Sequence, residues 1–356
     1  MSRILLMAGG TGGHVFPALA VAEQLRARGH EVYWLGTRRG IEARLVPAAQ
    51  IPLEFIQVEG VRGRGVMGLL KAPFLLTLAL WQSLAISRRI QPQVLVGFGG
   101  FASGPGGIAA WLSRKPLLIH EQNAIAGTTN RWLARIATEV LTGFSDVLTN
   151  AQHLGNPVRA SIEQLPAPVQ RWQEREDQPL RILVLGGSLG AQALNTLLPD
   201  ALARLPASMA VEVKHQCGAA HAEKAAALYA KAQVPVQLHS FIDDMAQAYG
   251  WADVVICRAG ALTISELMAA GVGALLIPLP NAIDDHQTCN AAVLAGAGAA
   301  LSVPQRDLTA EKLASLLTDE LSDRQTLLQM ANRARQLHRP EAALRVAERI
   351  EEYLSD

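Results

Sequence analysis

Four glycine-rich turns hold the residues whose types and spacing could do chemistry. Gly9-Gly10-Thr11-Gly12-Gly13-His14 follows an apolar run and opens a helical pattern. Its amides can approach an anion closely, and a helix N-terminus stands behind them. An imidazole of ordinary pKa, about 6.5, suits proton removal at neutral pH. His14 is therefore a candidate general base, or else a side chain that only orients the turn; Glu121 is the alternative base. Val15 stands where the dinucleotide fingerprint requires glycine, and Gly36-Thr37-Arg38 occupies the place of its ribose-binding acid. No G-x-x-x-x-G-K-[ST] run occurs, which excludes P-loop chemistry. Gly97-Phe98-Gly99-Gly100-Phe101, followed by Ser103-Gly104-Pro105, closes a second strand-like run and would face the same crevice. Each of these turns could also be plain backbone chemistry with no ligand.

The later half holds the other two turns. Gly186-Gly187-Ser188-Leu189-Gly190 satisfies G-x-S-x-G, the nucleophile elbow of α/β-hydrolases, and Asp243 or Asp253 and then His286 follow in triad order. The same residues suit a diphosphate cradle, with the Ser188 hydroxyl and its neighbouring amides as donors. Cys257-Arg258-Ala259-Gly260-Ala261-Leu262-Thr263-Ile264-Ser265-Glu266 places a carboxylate near the expected start of a helix. The helix dipole alone could explain it there; beside an exposed turn it could also accept two ribose hydroxyls. Downstream, Asp284-Asp285-His286-Gln287-Thr288-Cys289-Asn290 concentrates polar side chains suited to a hydroxyl-rich ligand such as a sugar. No D-x-D motif occurs, so no metal-bridged diphosphate site has obvious ligands and no motif requires a cofactor. Arg159 is a candidate cation for a departing diphosphate.

The elements that must position these turns are legible as an alternation. Short Val/Ile/Leu runs closed by glycine alternate with longer Ala/Leu-rich stretches, the mark of parallel strands covered by helices. Ile4–Met7, Glu31–Leu35, Val94–Val96, Leu117–Ile119 and Val140–Leu141 read as a first sheet. Ile182–Leu185, Val211–His215, Val236–Leu238, Val254–Cys257 and Ala274–Ile277 read as a second. Arg3-Ile4-Leu5-Leu6-Met7-Ala8-Gly9-Gly10 is echoed by Arg181-Ile182-Leu183-Val184-Leu185-Gly186-Gly187, which predicts two similar α/β domains in tandem. The boundaries expected are 1–162 with 340–356 for the first and 163–339 for the second. Ser161–Pro179, with three prolines and clustered charge, reads as a linker, and Pro340–Leu354 as an amphipathic helix that could cross back onto the first domain.

Composition narrows the classes. Over 356 residues, 32 basic against 31 acidic side chains argue against a nucleic-acid binder that works by neutralising phosphate. Cys217, Cys257 and Cys289 have no metal-ligand or disulfide-framework spacing, which fits a reducing, cytosolic setting. The apolar start, Met1 to Ala8, is too short for a signal peptide. Ala72–Ser87 carries no charge, yet it is shorter than the roughly 20 residues that span a bilayer and contains Pro73, Thr77, Gln82 and Ser83. With Leu69, Leu70, Phe74, Leu75 and Trp81 flanked by Arg62, Arg64, Lys71, Arg88 and Arg89, it reads either as an interfacial anchor for anionic lipid or as a crossover helix buried on the sheet.

Taken in order, Gly9–His14, Gly97–Gly100, His120-Glu121-Gln122-Asn123, Gly155-Asn156-Pro157-Val158-Arg159, Gly186–Ala191, Ala261–Glu266 and Gln287 resemble the MurG family of bacterial peptidoglycan glycosyltransferases over essentially the whole chain. The resemblance implies a GT-B fold: two Rossmann-like domains with parallel sheets and an interdomain cleft. It implies inverting transfer of N-acetylglucosamine from UDP-N-acetylglucosamine, a substrate and not a cofactor, to lipid I, giving lipid II. The first domain would bind the lipid diphosphate acceptor, with Gly99 and Gly100 at its diphosphate, and the second the UDP-sugar. Glu266 would hold the ribose, within a contact segment running through Ala261, Leu262, Thr263, Ile264 and Ser265. The Ile242 backbone would read uracil, and Ser188 with Arg159 would meet the diphosphate. Thr11, Gly12, Gly13, Asn123 and Gln287 would surround the sugar. The implied location is the cytoplasmic face of the inner membrane, as a peripheral protein, with an anionic membrane surface and cell-wall synthesis proteins as partners. Phe101, where relatives often carry Tyr, lacks the hydroxyl, and His286 stands where some relatives carry a second Gln.

Overall fold

Strands buried on both faces of a parallel sheet need apolar side chains in both directions, and the observed strands have them. The computed structural model describes residues 1–58, 65–173, 175, 178–187, 190–280 and 285–354; of 65–71 it describes the backbone alone. Two compact units result, 1–158 with 341–356, and 159–340.

In the first unit β1 (Arg3–Ala8), β2 (Glu31–Gly36), β3 (Leu53–Phe55), β4 (Val94–Gly99), β5 (Leu117–Glu121), β6 (Glu139–Thr142) and β7 (Gln152–His153) form one sheet. Its order is β3-β2-β1-β4-β5-β6-β7, every described pairing being parallel. Alternation divides the core: Ile4, Leu6 and Ala8 pack on one face, Leu5 and Met7 on the other. In the second unit β8 (Leu180–Leu185), β9 (Val211–Gln216), β10 (Gln237–His239), β11 (Val254–Cys257), β12 (Gly273–Leu276) and β13 (Ala300–Ser302) take the order β10-β9-β8-β11-β12-β13, again parallel. Both sheets therefore reverse direction beside their first strand, at β1/β4 and at β8/β11. All four glycine turns leave the carboxyl ends of those four strands, where an open α/β sheet binds ligands.

Three elements of the sequence reading change. β3, β7 and β13 are two or three residues long, too short to show as apolar runs. The Ser161–Pro179 stretch is no linker: it forms helices Ala160–Glu163 and Pro168–Trp172, and Ile162 and Trp172 are buried in the second unit. Arg171 donates to the carbonyls of Ala270 and Gly271, and Arg175 pairs with Asp253 at 2.8 Å. The Gly65–Ile90 helix has a buried side and an exposed one. Ala79, Ser83, Ile86 and Ile90 face the core, while Phe74 and Trp81 are 72% and 67% exposed. Leu69 and Leu70 have side chains outside the described set, as do Arg62 and Arg64 altogether.

The last helix, Ala342–Glu351, packs on the Gly12–Ala27 helix of the first unit. Val346, Ala347 and Ile350 are fully buried there. Glu351 accepts from both Arg28 nitrogens at 2.8 Å and sits 2.9 Å from His30 Nε2, and the Arg28 bond holds its carboxyl below the usual carboxylate value. Ile350→Ala should lower the stability of the first unit by about 2–5 kcal/mol, because the cavity cannot collapse between two helices and a sheet. Urea unfolding followed by an N-terminal fluorophore checks this; an unchanged midpoint would mean that the helix contributes no packing.

Candidate active site

A carboxylate removed from water must be met by donors, and one such group organises the first glycine turn. Glu42, fully buried, accepts from Gly10 N at 3.0 Å, Thr37 N at 2.9 Å and Thr37 Oγ1 at 2.7 Å. Gly9, Gly36 and Gly40 are the positions a Cβ could not occupy without striking it. Gly10 itself has φ +92°. The sequence reading missed Glu42; its signal is the run of glycines spaced around it.

His14 stands in the first turn of the Gly12–Ala27 helix, with Thr11 exposed at its N-cap. Its Nδ1 lies 3.0 Å from Gln122 Oε1. Gly99, at φ +98°, passes so close that a Cβ there would sit 2.8 Å from the same nitrogen. Ser103 Oγ accepts from Gly99 N at 3.0 Å and lies 2.9 Å from Met7 O, which fixes the Gly99-Gly100 turn across β1 and β4. This brings the first two glycine turns and His14 together in one unit.

Glu121, the alternative base, is otherwise engaged. It is 2% exposed and accepts from Asn123 N, Asn123 Nδ2, Gly127 N and Asn130 Nδ2 at 2.8 to 3.1 Å. Four donors leave no lone pair directed at a substrate, so Glu121 is a holder of its own loop and not a base. Asn123 is positioned by that loop.

In the second unit the Glu266 carboxylate is buried. It lies six residues into the Ala261–Ala270 helix and is 5% exposed. The acid expected near the helix start, where the helix dipole could explain it, thus lies past the first turn, and dipole effects fade beyond that turn. Burial pushes its carboxyl above the ordinary value, against the opposing pull of Arg159 and the Tyr249 hydroxyl. Arg159 Nη2 donates to Oε1 at 2.9 Å and Tyr249 Oη to Oε2 at 3.0 Å. Tyr249 is fully buried, and nothing in its sequence context marked it.

The remaining turn is clamped by side chains. Gln287 Oε1 accepts from Leu279 N at 2.9 Å and Ala259 N at 3.3 Å, and Asn290 Nδ2 donates to Ala259 O at 3.1 Å. Ser265 Oγ donates to Ala261 O within the helix, leaving Leu262, Thr263 and Ile264 on the turns around it. Ile242 N donates to Gln216 Oε1 at 3.2 Å, and Gln216 Nε2 donates to Gly187 O at 3.0 Å. Gln216 thus ties the Ile242 backbone to the third glycine turn, a link that spacing could not reveal. Ser188, Leu189 and Asp284 lie outside the described residues. The hydrolase triad loses Asp253: it precedes β11, at the opposite end of the sheet from the glycine turns, and its oxygens take Arg175 and Arg181 N. Among the described residues no group of three or more His, Cys, Asp or Glu could hold a metal ion.

The His14 imidazole beside the glycine turns of the first unit, and the buried Glu266 carboxylate beside Arg159 in the second, suit proton removal and recognition of a vicinal diol next to an anion. Comparison with known proteins gives the family. Residues 4–142 match the glycosyltransferase family 28 N-terminal domain and residues 181–346 the glycosyltransferase family 28 C-terminal domain. A relative from Cellvibrio japonicus, named UDP-N-acetylglucosamine--N-acetylmuramyl-(pentapeptide) pyrophosphoryl-undecaprenol N-acetylglucosamine transferase, is 60% identical over 97% of this chain and 96% of its own. One of the same name from Nitrosococcus oceani is 55% identical over 99% of both. The crystal structure of Acinetobacter baumannii MurG superposes with TM-score 0.86 at 45% identity, covering 99% of this chain and 100% of that one. A kitacinnamycin glycosyltransferase, 18% identical with TM-score 0.73, shares the fold. The chain belongs to glycosyltransferase family 28 and has its paired Rossmann-like architecture.

Proposed function

We propose that this chain transfers N-acetylglucosamine from UDP-N-acetylglucosamine to the C4 hydroxyl of the N-acetylmuramyl unit of lipid I, forming lipid II with inversion at the anomeric carbon. The observation that carries this reading is the full-length likeness to transferases whose names state the reaction. In the second unit Glu266 accepts the ribose hydroxyls, the Ile242 backbone meets uracil, and Arg159 supplies a cation for the diphosphate. In the first unit His14 removes the proton from the attacking hydroxyl while the bond from the anomeric carbon to UDP breaks. UDP leaves with the bond's electron pair, its charge met by amides and by Arg159.

The first unit also supports attachment to a membrane surface. Among the described residues no helix is long and apolar enough to cross a bilayer. Phe74 and Trp81 are exposed on the Gly65–Ile90 helix, Trp111 on the Ser103–Leu112 helix packed against it, and Trp132 on the next. Arg88, Arg89, Arg114, Arg131 and Arg135 lie on or beside the same segments, and Arg135 stacks on Trp132 at 4.3 Å. Exposed aromatics with arginines on the same segments fit an anionic lipid surface, on the cytoplasmic face where the nucleotide donor is found. Trp111 and Trp132 are exposed aromatics that the sequence reading did not name.

UDP release from UDP-N-acetylglucosamine with and without a lipid I analogue tests the reaction; release without dependence on the acceptor would overturn it. His14→Ala should cut turnover by about 10²–10⁴ with donor affinity retained. Near-normal turnover would remove His14 from the base role. Glu266→Ala should weaken UDP binding by at least about tenfold, the loss of hydrogen bonds to a charged group. The ionised carboxylate is the form that accepts both hydroxyls, and its value is raised. UDP affinity should therefore hold as pH rises and fall on acidification at a higher pH than an ordinary carboxylate near 4.3 would give. Calorimetry across that range checks the sign. Phe74→Ser with Trp81→Ser should weaken binding to anionic vesicles at least about tenfold, since each buried aromatic contributes about 1.5–3 kcal/mol.

A further inference from the structure

His14 is one end of a hydrogen-bonded chain whose other end is a backbone carbonyl. His120 lies in β5, and Gln122 is the first residue past the strand's end. Both are buried, at 0% and 1% exposure. Gln122 Nε2 lies 3.1 Å from His120 O and 3.2 Å from His120 Nδ1. A carbonyl can only accept, so the amide nitrogen must be on that side and Oε1 on the side of His14. Asn156 Nδ2 donates to Gln122 O at 2.9 Å and holds its backbone. At the far end His120 Nε2 is 3.0 Å from Gly155 O, another obligate acceptor, so Nε2 carries the proton and Nδ1 accepts from Gln122. Burial drives the His120 pKa down to about 4, keeping that ring neutral, and Phe98 stacks on it at 5.6 Å.

Each link fixes the next. Gln122 Oε1 can only accept, so His14 Nδ1 must donate across their 3.0 Å contact. We propose that Gln122 and His120 are positioning residues that lock neutral His14 as its Nδ1–H tautomer, leaving the Nε2 lone pair as the basic site. In water a neutral imidazole carries its proton mainly on Nε2, the arrangement in which that nitrogen could not accept one. The lock thus selects the less common tautomer, and the wrong tautomer is costly to a base. Gly99 completes the fit by leaving room for the ring. The inference rests on the reading of His14 as the base, which fails on a separate measurement, the turnover of His14→Ala.

The test is the long-range proton–nitrogen spectrum of the full chain labelled with 15N-histidine at neutral pH, assigned with His14→Gln and His120→Asn. The expected result is His14 with its proton on Nδ1 and His120 with its proton on Nε2. Gln122→Leu should return His14 mainly to the Nε2–H form. It should lower kcat by roughly 10- to 100-fold, part of what a general base contributes, with the donor KM within about twofold. A wild-type spectrum showing His14 protonated on Nε2 overturns the lock regardless of how any variant folds. So does a folded Gln122→Leu protein whose His14 tautomer is unchanged.

Discussion

Polar groups placed at the carboxyl ends of buried parallel strands lose their water, and each must be met by a partner of the right sense. This constraint shapes both units. Glu42 is met by the Gly10 amide and by the amide and hydroxyl of Thr37, Glu121 by donors of its own loop, Glu266 by Tyr249 and Arg159, and His120 by Gln122 and the Gly155 carbonyl. The glycines follow from it: Gly9 and Gly36 leave the space that the Glu42 carboxylate fills, and Gly99 leaves the space beside His14. A turn held in this way presents its amides at fixed positions before a ligand arrives, which is the preorganisation that charge development in a displacement needs.

Much of the architecture was legible because burial writes itself into periodicity. The Val/Ile/Leu runs, the repeated strand-turn-helix opening and the amphipathic last helix all reflect one-dimensional patterns that a core imposes. What failed to show was short or relational. β7 is a two-residue edge strand with no pattern to display. The Pro- and charge-rich stretch before β8 looked like a linker because its buried apolar members, Ile162 and Trp172, are too few to form a period, while Arg175 is buried by pairing with Asp253 and Arg171 is half-buried against backbone carbonyls.

The site was legible in its residue types more than in its roles. His14, Gln287 and Glu266 stood out because they are polar residues next to glycine turns. Gln122, the partner of His14, and Tyr249, a partner of Glu266, come from other segments, and only the fold brings them near. Glu121 and Glu266 illustrate the difference. Both are buried carboxylates, yet the first is saturated by four donors from its own loop, while the second is held by one cation and one hydroxyl from distant segments.

The return of the final helix makes the second unit an insertion within the first. During synthesis residues 1–158 leave the ribosome long before 341–356, so the Gly12–Ala27 helix must wait with its outer apolar face uncovered until the whole intervening unit has been made. The first unit is therefore the first to begin folding and the last to finish. Any break in the chain between residues 159 and 340 puts the strands of the first unit's sheet on one fragment and the helix that covers Gly12–Ala27 on another.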